Sequence, residues 1–211
     1  MSANVWLVGA LVAITYSLVP RWANAHVPWV RAALPELLQE SDCIITGRVD
    51  ASEADPRGRG VALIRQPASW CGATLPAPLR IRTATALPTG GHFVFFARKD
   101  ASGWRDLAAP GIVLPLNRSD QRLLHRTLVR LWKERPTPTR TAWRHAALRL
   151  LAAKDETWRY HAAVTLATTT QRRDLDAAER AQVAAILHSE TDPAIRHLLE
   201  HISGGVPASA P

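Results

Sequence analysis

Lysine and cysteine are scarce in this chain of 211 residues, and long apolar runs are absent after its first twenty. Each shortage narrows what the protein can be. There are three lysines against 23 arginines. With the abundant alanine, that imbalance reads as the coding bias of a GC-rich genome rather than as a surface selected for nucleic acid, so nucleic acid is not expected among the partners. The lack of a second long apolar segment leaves no stable membrane span to expect once a leader is removed. No GxSxG, HExxH, phosphate loop or dinucleotide fingerprint occurs. No cofactor is therefore implied, and a non-enzymatic role is the leading expectation. The two cysteines do not make a redox pair: in Trp70-Cys71-Gly72 the position that a CxxC motif would give to its second cysteine is held by Thr74.

What is present begins with an export signal. Residues 5–19 form an apolar run with nothing more polar than Thr15, Tyr16 and Ser17, closed by Pro20 and Arg21 and followed by Ala23-Asn24-Ala25. At about 15 residues the run is shorter than the roughly 20 needed to span a bilayer, and the small-x-small triplet matches a signal-peptidase site. Cleavage between Ala25 and His26 is expected, giving a periplasmic or secreted protein of bacterial type. The first four residues carry no Lys or Arg, which keeps an N-terminal membrane anchor as the alternative. Loss of Arg21 lowers the formal charge from +8 to +7, still basic enough to favour anionic partners such as envelope polymers. Cys43 and Cys71 both fall in the exported part, and an even count in an oxidising compartment predicts a disulfide between them, with stabilisation of about 3 kcal/mol.

Two patterns divide the mature chain. From residue 43 to 116, short apolar runs alternate with Gly, Pro and Asp clusters, which predicts strands over 43–49, 61–65, 79–83, 92–98, 104–108 and 112–116. Residues 30–40 precede them as one short helix. From Asn117 to Asp120 onward, capping residues gather and apolar positions recur at three and four, the period of helices. Predicted helices cover 120–134 and then start at Thr137-Pro138, at Asp155, at Asp176 with Glu179 for a capping box, and at Asp192-Pro193 with a stop at Gly204-Gly205. The fold class is therefore α+β. A small β-barrel over 26–118 follows the leader of residues 1–25; a stack of about five helices occupies 119–203, and 204–211 form a disordered tail.

The fragments Asp155-Glu-Thr-Trp158-Arg159 and Asp192-Pro-Ala-Ile195-Arg196 align at an offset of 37 residues. An Asp-Pro-x-x-Arg opening followed by small and aliphatic residues resembles HEAT-type repeats, which implies antiparallel helix pairs stacked into an array. Earlier, Ser69-Trp-Cys71-Gly72, Gly90-Gly91-His-Phe-Val-Phe-Phe96 and Gly103-Trp104 are similar to the OB-type barrel of netrin-like modules and tissue inhibitors of metalloproteinases. That resemblance implies an OB-like barrel. The family's inhibitors use a cysteine as first mature residue to chelate the protease zinc, whereas here the expected terminus is His26 and the nearest Cys is 17 positions on. Protease inhibition through the barrel stays open only as an alternative function.

Three constellations offer chemistry. His197-Leu-Leu-Glu200-His201 fits H-x-x-E-H, two ligands one helical turn apart with a base between them. The residues also flank an apolar stripe of an ordinary amphipathic helix, and ten residues remain downstream with no carboxylate to complete a site. His26 at a new terminus could bind copper with a second imidazole such as His92 or His125. A zinc or copper enzyme is the alternative these residues support; no metal ligand is assigned. Arg122, Arg126 and Arg130, with Lys133 adjoining, fall at i, i+4 and i+8 and line one helix face, which is either solvated or an anion-binding surface. The six tryptophans after the leader, at 29, 70, 104, 132, 143 and 158, are read as packing residues. The expectation is an exported scaffold or binding protein whose partner is another protein or an envelope polymer.

Overall fold

A computed structural model describes residues 34–204, apart from 57, 109–111, 136–137 and 172–173. The expected leader, its cleavage point at Ala25 and His26, Trp29, Thr137 and the tail after Gly204 lie outside the described residues. Helix α1 (Leu34–Glu40) leads into six strands, β1 (Cys43–Ala54), β2 (Gly60–Ile64), β3 (Ala68–Cys71), β4 (Leu79–Thr83), β5 (His92–Asp100) and β6 (Gly103–Asp106). Five helices follow: α2 (Gln121–Glu134), α3 (Arg140–Leu150), α4 (Glu156–Thr169), α5 (Ala177–Ser189) and α6 (Pro193–Ser203).

The strands close on themselves. The order β2-β4-β6-β5-β1 returns through a β1–β2 pairing to make a five-stranded barrel, with β3 added outside the ring on β1. Among the described residues only the β4–β6 pairing is parallel. Twelve residues of β1 serve three neighbours, because its first half pairs with β5 and β3 while its second half pairs with β2. The register shift between Val49 and Ala51 turns the strand from one set of partners to the other. Gly47 permits the crowded approach at that turn: a Cβ there would stand 2.3 Å from Ile64 Cγ2.

Inside the barrel lie Ile45, Val49, Ile64, Ile81, Phe95 and Trp104. The next residues along the same strands, Ile44, Val94 and Phe96, face outward yet are just as buried, because they join the core of the helices. Such strands, covered on both sides, read as a continuous apolar run rather than an alternation, and His92-Phe-Val-Phe-Phe-Ala97 is that run. No separate core belongs to the helical part; it is shared with the outer face of β1 and β5.

Helices α2, α3 and α4 are each placed by a leucine, tryptophan or alanine stripe. Leu124, Leu128 and Leu131 of α2, Trp143 and Leu150 of α3, and Trp158, Ala162 and Leu166 of α4 are all buried. Helices α3 and α4 pack as one pair and α5 and α6 as a second, with α3 packed on α5 and α4 on α6. The two openings aligned at 37 residues do the same work. Asp155 and Asp192 cap α4 and α6 through their side chains. Four residues on, Arg159 reaches back to the carbonyls of Ala153 and Lys154, and Arg196 to those of Leu187 and Glu190. The Asp176–Glu179 capping box of α5 forms in both directions, and Gly204, at φ 72°, ends α6.

Polar ties join the two parts. The indole of the fully buried Trp158 donates to Pro115 O at 2.7 Å and Arg135 donates to Ser41 O at 2.6 Å; within the helical part, Asp120 accepts from the N–H groups of Lys154 and Asp155 at 3.0 Å each.

Three expectations need correction. Cys43 and Cys71 are free thiols, not a disulfide. Cys71 pairs across the ladder with Ile44, so its side chain takes the outward face of Ile44. Cys43, one residue earlier on β1, points into the barrel; neighbouring positions on a strand face opposite sides of the sheet, and the sulfurs are held apart. The expected strand at 112–116 is reduced to a single bridge between Phe93 and Pro115. Two backbone hydrogen bonds, Val94 N to Leu114 O at 2.8 Å and Leu116 N to His92 O at 2.7 Å, hold it to β5 there, while its alternating Ile112, Leu114 and Leu116 are buried in the helical core. Helix α3 begins after Thr139, whose hydroxyl accepts from Ala142 N, so Pro138 precedes the helix instead of opening it. Strand β3, four half-exposed residues, was not anticipated.

Candidate functional site: an arginine-lined cleft beside β3

Helix α2 lies against β3, the strand outside the barrel ring. An open cleft of about 660 Å³ between them is lined by Trp70 of β3, by Arg118 in the turn before α2, and by Gln121, Arg122, His125 and Arg126 of its first two turns. Arg118, Arg122 and Arg126 follow one another at intervals of four, so a helical face started one turn early carries all three to the same side. The indole of Trp70 meets the His125 ring nearly perpendicular, 84°, with centroids 5.1 Å apart, an edge-to-face contact that fixes both rings.

The charge of the cleft is uncompensated. The first turn of α2 holds no acidic residue, and Asp120, at the capping position, spends both carboxylate oxygens on the α3–α4 connection rather than on the helix end. Among the described residues no carboxylate pairs with Arg118, Arg122 or Arg126. The positive end of the helix dipole adds to the same field. Side chains that can offer several N–H donors in planar forks, grouped around a half-buried aromatic ring, suit carboxylate or phosphate groups carried on a larger molecule.

The arginine stripe expected from sequence is thus shifted by one turn. Arg122 and Arg126 belong to the cleft; Arg130 turns to Glu134 at 3.1 Å, and Lys133 is exposed further along the helix. Arg118 and Trp70 were missed. The four-residue spacing back from Arg122 signals the first; nothing local signals the second, since β3 reaches α2 only through the fold.

The other candidate residues are dispersed. His197 and His201 are exposed on α6, and Glu200 between them takes an ion pair from Arg196 at 3.8 Å. His92 starts β5, where burial lowers its basicity, while His125 stands in the cleft. Among the described residues no group of three His, Cys, Asp or Glu could hold a metal ion, and no helix is long and apolar enough to cross a membrane. Burial raises the thiol of Cys43 above its ordinary range and pushes that of Cys71 up to about 12, so both stay protonated at neutral pH. Comparison with family models, curated proteins and solved structures returns no match to this chain.

Proposed function

We propose that this is an exported, non-catalytic binding protein whose cleft beside β3 holds an anionic group of an envelope polymer. The observation that carries the reading is the cleft itself, with three arginines that no carboxylate neutralises gathered around Trp70. Exposed arginines on a protein are commonly paired or dispersed. Holding three together costs mutual repulsion, which an anionic partner offsets. The signal-like pattern of residues 5–25 supports export to where such polymers are found.

Two finer structural readings accompany it. The barrel is of OB type: its five ring strands, numbered in chain order, stand in the Greek-key arrangement four-one-two-three, with the fifth closing the ring. The helices are two HEAT-like repeats plus α2, supported by the stacked pairs and by the matching Asp caps and back-reaching arginines.

The test is co-sedimentation of the processed protein with purified cell envelopes. Replacing Arg118, Arg122 and Arg126 together by Ala is expected to weaken binding at least about tenfold, and about 0.5 M salt to weaken the unmodified protein similarly, because exposed charges are screened over a few ångströms at that strength. Equal binding by the triple variant would remove the reading.

A further inference from the structure

A second group of arginines lies on the barrel wall. Strand register places Arg82 of β4 beside Arg105 of β6, and Arg105 beside Arg98 of β5. The inward neighbours Ile81 and Trp104 fill the barrel, so Arg82 and Arg105 face outward. On β5, Val94 and Phe96 are covered by the helical core, while Arg98, the next outward residue, is exposed. The row starts where helical cover ends.

Like charges directly opposite one another destabilise a sheet, and here three cations occupy adjacent strands. One carboxylate moderates them. Asp100 is bound by Arg82 at 2.5 Å, which with Ser102 holds its carboxyl down to about 2, and it stands 3.9 Å from Arg105. Among the described residues Arg98 has no acidic partner. The Nε of Arg82 is closed off from solvent without an acceptor. Two positions before Arg82 on the same face, Arg80 is held only loosely, 3.7 Å from Glu53. The strands that carry these arginines stand about 4.8 Å apart, so the row gathers several guanidinium groups within reach of a polymer that carries many anionic groups along its length. The outward residues of β4 and β6 include no aromatic ring on which bases could stack, so the wall lacks what single-stranded nucleic acid binding uses.

We infer that the row Arg82–Arg105–Arg98 is a second, separate binding site for an acidic polysaccharide. The row stands on its own geometry; only the count of two sites per chain rests on the proposed cleft. Two sites let one long polymer engage the molecule twice, and avidity then exceeds the affinity of either site.

The experiment is calorimetric titration of the full chain with a uronic-acid trisaccharide, in three proteins: unmodified, Arg98→Ala/Arg105→Ala, and Arg118→Ala/Arg122→Ala/Arg126→Ala. All the substituted residues are exposed, and circular dichroism verifies that the fold is kept. The expected result is two equivalents bound by the unmodified protein and one by each variant. One equivalent that disappears with Arg98 and Arg105 but survives the cleft substitutions would keep the row and remove the cleft. One equivalent that disappears with the cleft substitutions alone would remove the row and keep the cleft, and no binding by the unmodified protein would remove both. A short single-stranded oligonucleotide is titrated in parallel; tighter binding of it than of the trisaccharide at the row would overturn the polysaccharide assignment.

Discussion

Two titratable side chains, the half-buried Asp106 and the buried His161, one in each half of the molecule, work against each other as pH changes. Asp106 follows Trp104 on the inward side of β6, and its Oδ1 is sealed from solvent with no hydrogen-bond partner. Burial pushes its carboxyl from about 3.8 up to about 7. A raised acid stabilises the fold fully below its unfolded value, and that contribution is lost as pH rises through 7. His161 is buried in α4, where desolvation pushes it from 6.5 down to about 4. A depressed base contributes above its unfolded value, and its contribution is lost as pH falls toward 4. Over the shared window one group makes the folded state take up a proton and the other makes it exclude one. Stability of the unmodified protein should therefore be nearly flat between about pH 4.5 and 6.5, from these two groups, since slopes of up to about 1.4 kcal/mol per pH unit oppose each other. Urea denaturation of Asp106→Asn should show stability rising with pH across that window, and of His161→Phe, stability falling. Parallel profiles for all three proteins would refute the assignment of burial as the cause.

At the scale of elements, the free thiols provide a direct check. Because the β1–β3 register turns the two sulfurs to opposite sides of the sheet, two thiols should be counted on unfolding in denaturant without reductant. Alkylation of the folded protein at pH 8 should be slow, and reductant should leave the thermal midpoint unchanged. A midpoint that falls on reduction would show that the register is wrong. The same strands show how far sequence alone reached. The β4 limits were legible to the residue in Leu79-Arg-Ile-Arg-Thr83, whose alternation matches a wall with one face inside the barrel. The stop of α6 was equally plain from Gly204, and the α5 capping box from Asp176 and Glu179. Where local pattern had two meanings the reading slipped. Residues 112–116 alternate because they are half-buried, which a strand and a buried connection share. The pairing of cysteines was inferred from their even number, which carries no information about which face of a sheet each occupies. Strand β3 has no alternation to detect, and with it Trp70 and the β-side wall of the cleft were invisible; the arginines on α2, being periodic, were not.

For the whole molecule, the decisive fact is that barrel and helices share a core. Ile44, Val94 and Phe96 project from the outer face of the barrel into the cluster formed by α1 and the helices after it, together with Leu114 and Leu116 from the connection between them. A barrel separated after residue 118 would keep only α1 over this outer face, and would expose to water the apolar surface that the later helices cover, including the side of α1 that packs on α4. At about 25 cal/mol per Å² of apolar surface, re-exposing several such side chains removes on the order of 5–10 kcal/mol, comparable with the entire stability of a small domain. It would also lose the Trp158 and Arg135 ties across the junction. The helices alone fare no better, since one side of their core is supplied by β1 and β5. Residues 34–118 and 119–204 expressed separately are therefore expected to be unfolded or aggregated, with no cooperative thermal transition. Mixing the two refolding halves should restore one, because the missing surface of each is the other. Should either fragment give a dispersed amide spectrum and a cooperative transition by itself, the shared core would be a contact between independent domains, and the cleft beside β3, whose walls come one from each fragment, would open and close with their motion rather than stand preformed.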